Sequence, residues 1–261
     1  MKIKLIASAL VFTTLLGCSS EKGSDEKILK VGATGTSYPS AFKQDGKLVG
    51  FDVEVAETVA KKLNYKIQWV NSDFSGLMGQ LEAKKLDTIA NVVAITPERE
   101  QKYAFTQPYA FYSTRIVTHK NNTQFQTLND LKNKTIAGVL GSNNLNVLKD
   151  YFGDTVTIRT YETRDAASND AIAKRVDGYI NSGPILSAEI KSKSLPLRFV
   201  GQPLKIQNVG FPFNKDERGK KLQAEFDQEL KKLQQDGSLK ALSEKYFGED
   251  ITNKIAVENT K

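Results

Sequence analysis

The stretch KKLDTIAN at residues 84–91 returns in altered form as KRVDGYIN at residues 174–181. Each copy has the pattern of a helix end, an aspartate, a buried strand and an asparagine four residues after that aspartate. The copies are 90 residues apart, too far for a solenoid repeat. The repetition therefore predicts two similar α/β lobes, with chance similarity between two common helix–strand junctions as the alternative.

Strand and helix patterns alternate on both sides of each copy, which indicates parallel α/β sheets. We predict strands over residues 28–33, 65–69, 86–94, 135–140, 156–161 and 176–181. We predict helices over residues 51–63, 143–152 and 166–174, with a helical end to the chain. In open parallel sheets, ligands gather at the carboxyl ends of the strands. Asn91 and Asn181 are expected there, one on each lobe.

Composition excludes several classes of function. The chain has 261 residues with 37 basic and 30 acidic side chains, and the basic ones are scattered rather than interleaved with aromatics. Nucleic acid is therefore not an expected partner. Cys18 is the single cysteine and His119 the single histidine, so neither a disulfide nor a metal site nor a Ser-His-Asp triad is expected. No cofactor is predicted.

The first 18 residues have the pattern of an export signal that ends in a lipid-attachment site. Two lysines precede a short apolar run that ends in Leu-Leu-Gly-Cys at residues 15–18, which resembles a bacterial lipobox. That resemblance implies a cleaved signal peptide over residues 1–18 and a lipid, such as palmitate, on Cys18. Residues 19–27 have the composition of a flexible tether. We expect an extracytoplasmic protein held at the cell membrane by lipid alone, in the periplasm or on the outer face of the cytoplasmic membrane.

Several ordered motifs resemble those of the polar amino-acid family of ABC-transporter solute-binding proteins, from about residue 28 to about residue 251. They are GKLVGFDVEV at 46–55, TPER at 96–99, FTQPY at 105–109 and DGSLKALSEKYF at 236–247. Three further motifs are similar to those of a subgroup near the cystine-binding proteins, whose members are linked to sulfur-containing amino acids. They are VGATG at 31–35, SGLMG at 75–79 and VLGSN at 139–143.

The resemblance implies a type II periplasmic-binding-protein fold of class α/β. Each lobe is expected to be a mostly parallel sheet flanked by helices, and two hinge strands join the lobes. Lobe one would comprise residues 28–112 and 209–250, and lobe two residues 113–208. The implied partners are a small amino-acid ligand, an ABC permease with its ATPase subunits, and the membrane through the lipid anchor. We expect a monomer.

The implied function is capture of a polar amino acid, with cystine or an S-substituted cysteine-like compound as the expected ligand. The protein would bind this ligand without chemistry and deliver it to the permease. Two alternatives remain. A few dehydratases share the fold and use a carboxylate in the cleft as a general acid, and a surface adhesin would bind no small molecule.

Arg99 is the expected clamp for the ligand carboxylate, because its planar guanidinium offers a fork of donors. It follows Thr96, which is expected to cap a short helix and to lie at the site. In the family, the arginine at this place is aided by the backbone of the residue that matches Ala94. The alternative is a surface arginine paired with Glu98 or Glu100.

The second lobe is expected to supply Ser142 and Asn143, whose backbone and side-chain donors suit the same carboxylate. The alternative is a plain helix cap, and the two roles are compatible. Phe74 falls where the family has a wall against the ligand side chain, although it also fits an ordinary core position.

Two places depart from the family pattern. Ser37 stands where many relatives carry a stacking aromatic, and Tyr38 follows it. Ser182, preceded by Asn181, stands where many relatives carry an aspartate for the ligand ammonium. Both pairs are predicted to contact the ligand. The ammonium would then need its charge partner elsewhere, or the ligand would be larger than a plain amino acid.

Overall fold

The computed structural model describes residues 27–259, so the predicted leader, Cys18 and nearly all of the tether lie outside the described residues. The strands are β1 (Lys27–Ala33), β2 (Thr36–Ser37), β3 (Ala41–Gln44), β4 (Lys47–Val49), β5 (Tyr65–Asn71), β6 (Thr88–Ile89), β7 (Tyr103–Phe105), β8 (Ala110–His119), β9 (Thr135–Val139), β10 (Thr157–Tyr161), β11 (Gly178–Ser182), β12 (Leu197–Val209) and β13 (Pro212–Asn214). The helices are α1 (Phe51–Lys62), α2 (Phe74–Glu82), α3 (Pro97–Lys102), α4 (Asn143–Phe152), α5 (Arg164–Ile172), α6 (Gly183–Lys193), α7 (Glu217–Gln235), α8 (Ser238–Phe247) and α9 (Lys254–Asn259). Short 3-10 turns occupy Leu128–Leu131 and Gly153–Thr155.

Apolar side chains at helical spacing place the long helices against the sheets. Phe51, Val55 and Val59 of α1 are fully buried on one face, and Leu222 and Phe226 of α7 are buried in the same core. Full burial of such a side chain is worth about 1.5–3 kcal/mol, so one face of each helix supplies much of its stability.

Two sheets carry the two lobes. In the first, β5, β1 and β6 run parallel in the order β5-β1-β6. The second has the order β10-β9-β11-β8-β12, in which β10, β9 and β11 run parallel and β8 is antiparallel to both of its neighbours, β11 and β12. Two smaller sheets, β13-β7 and β2-β3-β4, complete the arrangement. The architecture is the predicted two-lobe α/β fold with parallel-rich sheets and flanking helices.

The strands β8 and β12 link the two cores. They pair along their length from Ala110 opposite Val209 to His119 opposite Leu197. Ala110 and Val209 belong to the core that contains β1, α1 and α7, whereas Ile116 packs in a separate core around β9 and α4. A pair of long strands that leaves one core and enters another is the expected form of a hinge.

The strand predicted over residues 86–94 is wrong in extent, since β6 covers only Thr88–Ile89. Val92 adopts a positive φ of 51°, which ends the extended conformation. After this bend, the backbone N–H of Gly210 donates to the carbonyl of Val93 at 3.1 Å, and Ala94 bridges Val209. The apolar segment thus leaves the first sheet and joins the chain at the end of β12. An apolar run in the sequence is equally compatible with one long strand and with this bent path between two sheets.

Candidate functional site

One cavity of about 310 Å³ lies where six parallel strands of the two sheets end. Its first wall is formed by the segments that follow β1, β5 and β6, and its second wall by those that follow β9 and β10 and by the end of β11. The carboxyl ends of parallel strands are the usual place for a ligand in α/β folds, because the connections there diverge and leave a crevice.

Nine of the predicted site residues line this cavity. They are Ser37, Phe74, Asn91, Ala94, Arg99, Ser142, Asn143, Asn181 and Ser182. Five come from the first wall and four from the second, so the fold brings together residues up to 145 positions apart in the sequence. Their proximity is a geometric fact, and their contacts with a ligand stay a prediction.

Tyr38 and Thr96 are not among the lining residues. The Tyr38 ring packs edge-on against Phe42, with ring centroids 4.9 Å apart, and so does not stand as a stacking wall in the cavity. The Thr96 hydroxyl accepts a hydrogen bond from the backbone N–H of Arg99 at 3.2 Å and caps α3. The structure therefore gives Thr96 a positioning role, because it fixes the helix turn that presents Arg99.

The two repeated asparagines stabilise loops on their own sides of the cavity. Asn91 accepts hydrogen bonds from the backbone N–H of Thr34 at 3.1 Å and from its hydroxyl at 2.8 Å. Asn181 accepts from the backbone N–H of Ser182 at 2.8 Å and from the Asn144 side chain at 3.3 Å. Each carbonyl oxygen thus holds a cavity loop in place, which explains why similar residues recur at matching strand ends.

Arg99 reaches across the opening between the walls. Its Nη1 donates to the carbonyl of Ala94 at 2.9 Å, and its Nη2 donates to the carbonyl of Gly141 on the second wall at 3.1 Å. The guanidinium also lies over the Phe74 ring, 5.5 Å from its centroid. Burial lowers the pKa of Arg99, but an arginine stays charged at neutral pH.

Neither glutamate beside Arg99 forms an ion pair with it among the described residues. No ion pair between Arg99 and any acidic side chain occurs within residues 27–259. The alternative of a surface pair with Glu98 or Glu100 is therefore not what the structure shows. The guanidinium of Arg99 donates hydrogen bonds only to main-chain carbonyls, which carry no charge. A carboxylate would therefore be a stronger partner.

The amino end of α4 faces the same cavity from the second wall. Ser142 is the residue before the helix, and its buried hydroxyl has no hydrogen-bond partner among the described residues. Asn143 is the first helical residue, and its side chain donates to Gln207 at 3.2 Å. The unpaired backbone N–H groups and the dipole of such a helix end favour an anion.

The walls come into contact at Gly141, which has a φ of +74°. A methyl group added at its Cα would lie 3.4 Å from Cβ of Ser75 and 3.9 Å from the Phe74 ring. The turn before α4 thus approaches α2 closely, and glycine permits both the left-handed backbone and the contact. The cavity is closed on this side.

Comparison with known proteins assigns the family. The model of the bacterial extracellular solute-binding proteins, family 3, matches residues 29–249. The chain belongs to this family. Family 3 proteins bind solutes outside the cytoplasm, which agrees with a cavity between two lobes.

Individual relatives support this assignment. The chain is 48% identical to the "Probable amino-acid-binding protein YxeM" of Bacillus subtilis over 97% of its own length and 98% of the relative. It is 31% identical to the L-cystine-binding protein TcyJ of Escherichia coli K12, over 91% and 88%. The arginine-, lysine-, histidine-binding protein ArtJ of Geobacillus stearothermophilus has a similar structure, with a TM-score of 0.80 and 26% identity over 88% of this chain and 98% of that one.

This family 3 chain is a binding protein and not an enzyme. The relatives that span nearly its whole length carry the names of binding proteins. The dehydratase-like alternative is therefore set aside. Among the described residues, no group of three or more His, Cys, Asp or Glu side chains is placed to hold a metal ion. No helix within residues 27–259 is both long and apolar enough to cross a bilayer.

Sequence reasoning missed several lining residues that carry charge. Asp73 and Glu162 contribute carboxylates from opposite walls, and Arg164 contributes a second guanidinium. Hydrogen bonds from Ser75 and from the backbone of Gly76 lower the pKa of Asp73, so this carboxylate is ionised. These three residues follow the ends of β5 and β10, so the same rule that selected Asn91 and Asn181 would have selected them.

The other lining residues that the sequence patterns did not indicate are uncharged. They are Thr34, Thr36, Asn71, Ser72, Val92, Tyr112, Val139, Asn144, Thr163 and Ile185. Tyr112 lies on hinge strand β8 and is nearly fully buried. Burial raises its pKa to about 12, so its phenol stays protonated and can donate a hydrogen bond into the cavity.

Proposed function

We propose that this protein is the extracytoplasmic binding component of an ABC importer for a polar amino acid. It binds its ligand as a monomer, releases it unchanged to the permease and its ATPase subunits, and is held to the membrane by a lipid on Cys18. The family assignment supports a solute-binding role, and relatives named for amino acids and for L-cystine support the class of solute.

Arg99 is the observation that carries the amino-acid assignment. Its guanidinium has no acidic partner in the described part of the chain, and the amino end of α4 faces the same cavity. A ligand carboxylate placed there would receive a bidentate, charge-assisted pair of hydrogen bonds from Arg99. It would receive further donors from the α4 backbone and the unpartnered hydroxyl of Ser142.

The ammonium group of the ligand needs a different partner from that of many relatives. Ser182 and Asn181 bring no charge to the cavity. Asp73 and Glu162 are the carboxylates in its lining, and we propose that they balance the ammonium. An ammonium drawn away from Ser182 favours a ligand longer than a small standard amino acid. Cystine or an S-substituted cysteine-like compound meets that requirement.

A ligand screen on purified protein tests this function. We expect cystine and S-substituted cysteines to raise the melting temperature, because a ligand at a hundredfold excess over its Kd stabilises by about 2.7 kcal/mol. Mass spectrometry should recover each ligand unchanged. Absence of any shift across standard amino acids and cysteine derivatives would contradict the proposal.

The Arg99→Ala variant identifies the site. Loss of a charge-assisted contact in a desolvated cavity costs about 2–5 kcal/mol of binding free energy, which calorimetry resolves. Arg159→Ala is the matched control, since Arg159 is half exposed on β10 and pairs with Asp170. Equal affinity of folded Arg99→Ala and wild type would rule out the clamp.

A further inference from the structure

Arg164 is the one arginine within residues 27–259 whose side chain forms neither a hydrogen bond nor an ion pair, although its charge acts over a longer distance on the buried carboxyls of Asp52 and Glu189. It is the first residue of α5, directly after the Thr163 cap, and it lines the second wall of the cavity. Its buried Nη1 has no hydrogen-bond partner, and no ion pair involving Arg164 occurs within residues 27–259.

The other arginines all donate to an acceptor of the protein. Arg99, Arg115 and Arg198 donate to main-chain carbonyls, while Arg159, Arg175 and Arg218 pair with aspartates. A buried guanidinium nitrogen without an acceptor is costly to the folded protein. Its occurrence in the cavity lining points to an acceptor that comes from the ligand.

Arg164 and Arg99 lie on opposite walls of one cavity. Both positive charges act on the phenol of Tyr112, where they oppose the effect of burial on its pKa. Arg99, Tyr112 and Arg164 all line this cavity. The proposed function places one carboxylate at Arg99 and the α4 amino end, and Arg164 adds a second cation to the lining of the same cavity.

We propose that Arg164 binds a second carboxylate of the ligand, which makes the protein selective for amino acids with a further acidic group on the side chain. This inference rests on the proposed function and names its ligand class. Cystine belongs to the class through its second amino-acid end, as do carboxyalkyl derivatives of cysteine. Neutral and cationic amino acids would leave Arg164 without its partner. Asp73 and Glu162 remain for ammonium groups.

A pair of isosteric ligands tests the proposal. S-carboxymethyl-L-cysteine and S-carbamoylmethyl-L-cysteine have the same number of heavy atoms and differ in the charge of the terminal group. We expect wild type to bind the acid at least tenfold more tightly in calorimetry, since an amide gives Arg164 only a neutral acceptor. Equal affinities of wild type for both compounds would overturn the inference.

Variants assign the preference to Arg164. In Arg164→Gln the preference should fall to about twofold or less, and circular dichroism and a cooperative melting transition show that the variant is folded. Arg164→Lys should keep part of the preference, and the exposed control Arg159→Gln all of it. A full preference in Arg164→Gln would overturn the inference.

The same panel separates the two proposals. If wild type binds amino acids through Arg99 without preferring the acid, only the inference about Arg164 fails. If wild type binds neither compound, nor cystine, nor any standard amino acid, the proposed function fails as well.

Discussion

Replacing Asp52 with asparagine tests the effect of a carboxylate that the fold buries completely. Asp52 is 0% exposed at the start of α1, and the hydroxyl of Tyr109 donates a hydrogen bond to its Oδ1. Its Oδ2 has no hydrogen-bond partner among the described residues. Burial raises the pKa of Asp52 from 3.8 to about 7, against opposing effects of Tyr109, the Val92 backbone and the charge of Arg164.

The sign of the effect on stability follows from this pKa. The folded protein binds a proton at Asp52 below about pH 7, whereas the unfolded chain binds it only below about pH 4. Stability from this group is therefore lost as the pH rises through 7 and is regained as the pH falls toward 4. The two pKa values differ by about three, which corresponds to about 4 kcal/mol, and roughly 2–3 kcal/mol of this lies between pH 8 and pH 5.

Urea unfolding of wild type and Asp52→Asn at pH 8, 7, 6 and 5 measures this term. Asparagine is nearly isosteric and does not titrate, so the difference in unfolding free energy should move by roughly 2–3 kcal/mol in favour of wild type on going from pH 8 to pH 5. Asp150→Asn, at an exposed position on α4, should show no comparable movement. A difference between wild type and Asp52→Asn that is the same at pH 8 and pH 5 would refute the reasoning.

Three further predictions concern specificity, motion and anchoring. Ser182→Asp should raise affinity for small standard amino acids about tenfold, or ~1.4 kcal/mol, in a calorimetric panel, because it adds a charge for the ammonium; weaker binding of those ligands would contradict this. Small-angle scattering should show compaction when ligand is added, through rotation about segments 111–117 and 207–213; an unchanged profile at saturation would indicate a cavity that is closed before binding. Cys18→Ser should release the protein from the membrane fraction or leave an uncleaved precursor, and normal processing and anchoring of the variant would rule out lipidation.

Periodicity and motifs predicted the fold class and the ends of several elements. The helix expected over residues 143–152 is α4, because its apolar residues recur at helical spacing and a Gly-Ser turn precedes it. The apolar residues after Ile89 have no comparable pattern that would mark the end of the strand. There the backbone turns at Val92 to meet the end of β12, and that contact comes from a segment more than 100 residues away.

The sequence predicted a site residue best where the surrounding motif is typical of a single role. Arg99 follows a capped helix start and lines the cavity as expected. Arg164 also precedes a helical pattern, but a lone arginine beside Glu162 and Asp165 looks like an ordinary surface residue. The structure shows that Arg164, at the start of α5, lines the cavity and that its buried Nη1 has no hydrogen-bond partner among the described residues. Tyr38 shows the converse, since its ring finds Phe42 instead.

The composition of the two cores sets an order of folding. Leu29 and Phe51, near the amino end, pack with Phe226 and Phe247 in the last sixth of the chain. The core around Ile116 draws only on residues between 116 and 204. As the chain emerges during export, we expect this middle portion to fold first, since all of its contacts are available early. The apolar face of the amino-terminal sheet stays uncovered until α7 and α8 are available, so a chain cut short before α7 should aggregate even though it retains every residue of the cavity lining.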